Sequence, residues 1–257
     1  MSEKKYRVRA ACLCNTGKVR RNNEDNYFFR GRCLPELNAG SPEMLTLETR
    51  LDAPLRFAVF DGMGGENYGE AAAFAAADCM VRLYERTQYF GVSEAPALEQ
   101  LCQQLNLAVV KRAQELCTSR MGTTLAVLSL LPGRCWSCNL GDSRVYRLRG
   151  ARLEQLSVDH VEHRPISNRK PPLTQHLGID PEELILEPSI REEALASGDR
   201  FLLCSDGLTD MLSDSKLSVL LRQDTDLDDC ARRLTEAALA KGGRDNITVI
   251  VCDYLED

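Results

Sequence analysis

Four aspartates occupy positions where strands should begin or end, and a glutamate in a charged motif joins them. The apolar run 57–60 stops at Asp61, the run 201–205 at Asp206, and the segment 135–141 at Asp142. Asp245 stands just before the strand-like run 246–252, and Glu24 lies in RRNNEDNY (20–27). An acid at the start of one strand shares a sheet edge with an acid at the end of an antiparallel neighbour, so these groups are expected to converge. Like charges packed this densely repel unless they are protonated or bridged by cations. Oxygen donors with no imidazole or thiolate beside them select hard ions, Mg²⁺ or Mn²⁺ rather than zinc. Gly62, Gly64 and Gly65 would let backbone carbonyls come close to such an ion. A single Asp-Gly pair is ordinarily a turn and nothing more; the coincidence of all these sites argues otherwise.

The elements that must hold these acids can be read from periodicity. Alternating or apolar runs predict strands at about 7–14, 55–60, 122–131, 134–140, 143–149, 184–190, 199–204 and 246–252. Helical patterns cover 69–87, a stretch opening after Ser93 with Leu98, Leu101, Leu105, Val109 and Leu116 on one face, and 227–241, which stops at Gly242 and Gly243. Segments 31–54 and 161–175 carry the prolines and mixed charge of loops. Many strands with few strand–helix–strand alternations predict an α+β fold with antiparallel sheets.

Composition narrows the function. The chain has 257 residues and a formal charge of −6, long enough to bury a large core without disulfide staples. No linker splits it, so residues 1–257 read as a single domain. The acidic balance argues against nucleic acid or an anionic membrane as partner. No apolar stretch is long enough to span a membrane, and no signal-peptide h-region follows the charged N-terminus. Eleven cysteines, an odd number scattered through apolar runs, suit small core residues in a reducing compartment. A cytoplasmic location is the expectation.

Several motifs compete and fail. CWSC (135–138) has redox spacing, but on a strand its two cysteines point to opposite faces. His160 and His163 read as loop residues rather than ligands. The run 224–229 mimics a calcium loop, yet has Asp229 where glycine is needed and Thr235 where glutamate is needed. The glycines after Asp61 are not followed by the Gly-Lys-Ser/Thr of a phosphate-binding loop.

RRNNEDNY, AVFDGMGGENYGEAAA (58–73), MGTTLAVL (121–128), NLGDSRVYRLRG (139–150), SVDH (157–160), LTQHLG (173–178), GDRFLLCSDGLTDML (198–212) and GGRDNITVIVCDY (242–254) resemble, in order, the protein phosphatase 2C family of metal-dependent serine/threonine phosphatases in its bacterial form. The resemblance runs from about residue 7 to 254. It implies a four-layer α/β/β/α sandwich, two antiparallel sheets flanked by helices, with the metal site at one end. It implies that Asp61 bridges two ions, that Gly62 gives its carbonyl to one of them, that Asp206 and Asp245 complete the ligands of the first ion, and that Glu24 contacts the second, directly or through water. Asp142 with Asp206 resembles the pair that holds a third ion, with Asp210 near it. The cofactors so implied are two or three Mn²⁺ or Mg²⁺ ions. Two such ions sharing a water would make it nucleophilic near neutral pH. Arg20, with Arg21 as the alternative, matches the arginine that grips the phosphate, a task suited to a planar guanidinium fork.

Two features depart from many relatives. Met63 stands where eukaryotic members carry a histidine proposed as general acid, and the stretch between SVDH and LTQHLG has only 12 residues where a longer flap is usual. The implied activity is hydrolysis of phosphoserine and phosphothreonine on proteins, with a Ser/Thr protein kinase among the partners. The alternative is an inactive metal- or phosphate-binding regulatory module of the same fold, against which stands the presence of every carboxylate that can be aligned.

Overall fold

In the computed structural model, residues 5–41, 43–63, 68–86, 93–118, 121–162, 170–223 and 226–256 are described. Along the chain come β1 (Tyr6–Asn15), β2 (Asp25–Phe29), β3 (Leu45–Arg50), β4 (Leu55–Met63), α1 (Gly69–Arg86), α2 (Glu94–Glu115), β5 (Gly122–Thr123), β6 (Leu125–Leu131), β7 (Arg134–Leu140), β8 (Arg144–Arg149), β9 (Arg152–Gln155), β10 (Ser189–Ala194), β11 (Asp199–Cys204), α3 (Asp206–Thr209), α4 (Asp214–Gln223), α5 (Leu227–Ala240) and β12 (Ile247–Glu256). Two antiparallel sheets result, ordered β3-β1-β12-β11-β8-β9 and β10-β7-β6-β4-β2, with β5 paired to the end of β4.

The period-two pattern of the strands sorts side chains into three apolar layers. Val8, Cys12, Phe57, Val59, Ile250 and Cys252 fill the space between the sheets. Ala58, Phe60, Val127 and Trp136 turn outward against α1 and α2, while Ala11, Val249 and Val251 turn outward against α4 and α5. The order is therefore helix, sheet, sheet, helix, as expected. Alanines at 71–73, 76 and 77 let α1 approach its sheet closely. Asp226 caps α5 by accepting from the Asp228 N–H at 2.9 Å, which accounts for part of the calcium-loop mimicry at 224–229; residues 224 and 225 lie outside the described set. Gly242 and Gly243 end α5 at positive φ. Ser93 precedes α2 as expected, but its side chain makes no capping bond.

The structure corrects several elements. The strand expected at 184–190 starts only at Ser189 and runs to Ala194; Leu184 and Ile185, which gave the segment its apolar look, are exposed in a loop. The expected loop 31–54 contains β3, an edge strand whose alternation is largely polar. Strand β2 hides in the charged motif 20–27, and α3 and β9 are too short to give a periodic signal; α4 is also unanticipated, although Leu217, Leu220 and Leu221 carry the spacing of one helix face. The CWSC geometry is as expected: Cys135 faces the inter-sheet core and Cys138 the helices.

Helix α2 is fixed to its sheet by a buried ion pair. Glu94 Oε1 accepts from Arg56 Nη2 at 2.6 Å and Nε at 2.9 Å, and from Ser129 Oγ at 2.6 Å. Removing one partner strands a buried charge, so Glu94→Ala should destabilise the fold by about 3–5 kcal/mol, read as a lowered midpoint in urea unfolding.

Candidate metal centre

The sheets place their acid-bearing ends together. Asp61 and Gly62 lie near the end of β4, Asp206 follows β11 at the start of α3, Asp142 sits in the β7–β8 turn, and Asp245 precedes β12. Because β12 is antiparallel to β11, its beginning lies where β11 ends. Arg20, Glu24, Asp61, Gly62, Asp142, Asp206 and Asp245 all line one cleft of about 470 Å³. Arg21 is exposed and is not part of that lining. Gly64, Gly65, His163 and most of the short flap fall outside the described residues.

Hydrogen bonds to the backbone hold the segments that carry Asp61, Asp142 and Glu24. The Asp61 N–H donates to Thr124 Oγ1 at 3.0 Å, and its carbonyl accepts from the Thr124 N–H at 2.9 Å and Thr123 Oγ1 at 3.0 Å. Thr124 Oγ1 also meets Ser143 Oγ at 2.7 Å, which ties the turn carrying Asp142 to Asp61. That turn needs Gly141, at φ +91°, and is clasped by His160, whose Nδ1 accepts from the Gly141 N–H at 3.2 Å. Asn246 holds the loop bearing Arg20 and Glu24: its Oδ1 accepts from the Glu24 N–H at 2.7 Å, and its Nδ2 donates to the carbonyls of Thr16 and Asn22 at 2.8 and 3.0 Å. Gly62 is packed so tightly that a Cβ would lie 2.0 Å from the Gly69 carbonyl oxygen and 2.6 Å from that of Glu24.

The electrostatics follow from this crowding. Burial pushes the Asp61 carboxyl well above the usual carboxylate range, and the charges of Asp25, Asp142 and Asp245 push it further. Glu24 is raised as well, chiefly by burial, with Glu70 and Asp245 adding to the effect against Arg20. Asp25 is driven up to about 7 by burial, although Ser205 Oγ and Thr248 Oγ1 each donate to its Oδ2 and oppose the shift.

Two cations stand among the acids. Arg20 Nη2 donates to Asp245 Oδ2 at 2.6 Å. Lys170 Nζ pairs with Asp142 Oδ2 at 2.7 Å and also with Asp206. Burial would lower the Lys170 pKa, but Asp142, Asp210 and Asp61 outweigh it and the net shift is upward. Among the described residues, no three His, Cys, Asp or Glu side chains already converge as a ready-made metal cage; the acids share the cleft with Arg20 and Lys170 instead.

Several participants were not anticipated. Lys170 gives no sequence signal. Thr123, Thr124 and Asn246 lie inside quoted motifs but carry no charge to draw attention. Asp25 stands beside Glu24, and Glu70, whose Oε2 is buried without a partner, follows Gly69; both acids could have been counted with the others.

A family model described as protein phosphatase 2C matches residues 47–245. The serine/threonine protein phosphatase PstP of Mycobacterium tuberculosis is 29% identical over 259 residues, covering 97% of this chain. The chain spans only 45% of that relative's length. The protein phosphatase PhpP of Streptococcus pneumoniae is 29% identical, with 95% of this chain and 97% of PhpP covered. The crystal structure of the PstP catalytic domain in complex with two manganese ions superposes with a TM-score of 0.77 at 28% identity, covering 97% of this chain and 99% of that domain.

The packing at Gly62 makes a direct test. Gly62→Ala forces two backbone carbonyls apart and should cost about 1–3 kcal/mol, measured as a fall in thermal midpoint; an unchanged midpoint would mean the β4–α1 junction is looser than described.

Proposed function

The chain belongs to the protein phosphatase 2C family, and on that premise we propose that it hydrolyses phosphoserine and phosphothreonine on proteins with Mn²⁺ or Mg²⁺. The observation that carries the reading is the single cleft gathering five carboxylates, a glycine and an arginine. Among the described residues no cysteine or histidine lines it, so the donor set suits hard divalent ions, and the raised Asp61 and Glu24 carboxyls need positive charge nearby. Asp61, the Gly62 carbonyl, Asp206 and Asp245 would hold one ion, Asp61 and Glu24 a second, and Asp142 with Asp206 a third. When bound, such ions supply Lewis-acid chemistry, making water nucleophilic near neutral pH and neutralising phosphate charge.

The chain's own residues do the rest. The Arg20 guanidinium is half exposed at the cleft rim, free to turn from Asp245 and grip two phosphate oxygens with its fork. The hydroxyls of Thr123 and Thr124 lock the Asp61 backbone, so the most shared carboxylate keeps its aim while charges around it change. Pro171, Pro172 and Leu173 form an apolar wall on the flap side of the cleft that limits access of bulk water. Met63 carries no exchangeable proton, so the departing alkoxide oxygen of serine or threonine takes its proton from water. Lys170 neutralises Asp142 and Asp206 and would compete with an ion at that pair.

The same reading extends to context. Residues 1–257 act as one catalytic domain, a view supported by the pairing of β1 with β12 across the whole described chain. All eleven cysteines are free thiols, which supports a reducing, cytoplasmic setting. Among the described residues no helix is long and apolar enough to cross a membrane. The natural counterpart is a Ser/Thr protein kinase whose products, and whose own phosphorylated sites, are substrates.

Release of phosphate from p-nitrophenyl phosphate and phosphothreonine peptides should require Mn²⁺ or Mg²⁺, and no ion-dependent release at micromolar enzyme would refute the reading. Asp206→Asn should abolish turnover while the fold survives by circular dichroism. Lys170→Met should tighten the weakest Mn²⁺ site by roughly three- to tenfold in calorimetric titration; unchanged binding would remove Lys170 from that site.

A further inference from the structure

Away from the cleft, the fold holds several large apolar side chains in the open. Leu107 of α2 is 55% exposed, Leu184 is 44% and Ile185 is 78%. With Pro181, Leu186 and Gln103 they line a groove of about 330 Å³. Their exposure is enforced by buried amides. Gln175 donates through Nε2 to the Ile185 carbonyl at 3.3 Å, and its Oε1 accepts from the Glu187 N–H at 3.2 Å. Asn106 accepts from the N–H groups of Gly178 and Ile179 at 2.7 and 3.1 Å and donates to the Ile179 carbonyl at 2.8 Å. Both ends of the loop are thus fastened, and Ile185 cannot turn inward without breaking these bonds.

The loop that forms one wall of this groove is acidic. Asp180, Glu182, Glu183 and Glu187 are exposed, no lysine or arginine occurs from 171 to 190, and the nearest arginine in sequence, Arg191, is taken up by Glu154 and Glu193. The groove also adjoins the cleft through one segment of chain. Pro171, Pro172 and Leu173 line the cleft, while Pro181, Leu184, Ile185 and Leu186 line the groove. Between them Leu177 exchanges two backbone hydrogen bonds with Thr123, at 3.1 and 2.9 Å, and Thr123 is the residue whose hydroxyl holds the Asp61 carbonyl.

We propose that this groove docks a basic, apolar segment of the phosphoprotein substrate, with two large apolar side chains in the groove and lysines or arginines against the acidic wall. The proposal rests on the phosphatase reading and deepens it by naming a feature of the substrate. A second copy of this chain is the poorer occupant, because two acidic walls would face each other. The stretch from Leu173 to Leu184 reaches at most about 40 Å when extended, so a docked segment and a phosphorylated residue about a dozen positions apart can engage together. Docking then raises the local concentration of the phosphate at the cleft.

The test uses a phosphothreonine peptide carrying an arginine-lysine-leucine-leucine-arginine-lysine tail about twelve residues away, beside the same peptide with a glycine-serine tail. The wild-type protein with Mn²⁺ should show a kcat/KM roughly tenfold higher on the basic-apolar peptide, lost at high salt. Ile185→Asp and Leu107→Asp, both on the exposed face, should bring that peptide down to the level of the other while leaving p-nitrophenyl phosphate turnover unchanged. Equal rates on the two peptides in the wild type, or a preference that survives Ile185→Asp, would overturn the proposal. So would sedimentation showing a dimer that Ile185→Asp dissolves. Fluorescence anisotropy of the dye-labelled tail alone separates the two readings: binding to wild type but not to Ile185→Asp supports the groove even if no phosphate is released, whereas failure with intact turnover condemns the groove and spares the enzyme.

Discussion

Mutual repulsion among carboxylates is the constraint around which this molecule is built. Asp61, Asp142, Asp206, Asp245 and Glu24 line one cleft, an arrangement that opposes folding unless other forces hold it. Three apolar layers supply the opposing stabilisation, and hydrogen bonds to the backbone hold the segments that carry Asp61, Asp142 and Glu24. Arg20 and Lys170 contribute the positive charge that the protein itself provides. Both are partly exposed, so neither pair is locked away from solvent or from a competing cation.

The two sheets must also stay in phase for their ends to meet. Asp25, in the sheet of β4, accepts at 2.6 Å from both Ser205 and Thr248, which belong to the other sheet. This buried clamp lies directly behind the cleft, since Asp25 pairs with Asp61 across β2 and β4. Asn246 performs the matching task for the loop that carries Glu24. The acids that face the cleft are thus backed by polar groups that face the core, and moving one set disturbs the other.

Much of this was legible in the sequence, and the limits have physical causes. Strands β7 and β11 were placed to the residue, because Cys and Leu alternation between turn signals leaves little freedom. The convergence of acids followed from strand direction alone, and the resemblance carried by the ordered short motifs supplied the ion assignments. What escaped was structure stabilised by context. Strand β3 survives as an edge with little apolar signal, and β2 is a five-residue strand, buried throughout, that directly follows the charged run 20–24. The apolar look of 184–186 misled because Leu184 and Ile185 face solvent and only Leu186 packs against the core. Lys170 could not be foreseen, since a lone lysine in a proline-rich stretch acquires meaning only from the acids it meets in space.

Strands β1 and β12 lie side by side at the centre of one sheet, Tyr6 opposite Glu256 and Asn15 opposite Ile247. A pairing between segments so distant in the chain closes a long loop and forms slowly relative to the local hairpins β6–β7 and β8–β9. During synthesis Asp61 emerges early, while Asp245, Asn246 and Thr248 leave the ribosome only after every other strand has been made. The cleft is therefore completed only once β12 has joined its sheet. A nascent chain carries its acids dispersed, and gathers them, with whatever ions they attract, only when the sheet that must resist their repulsion is complete.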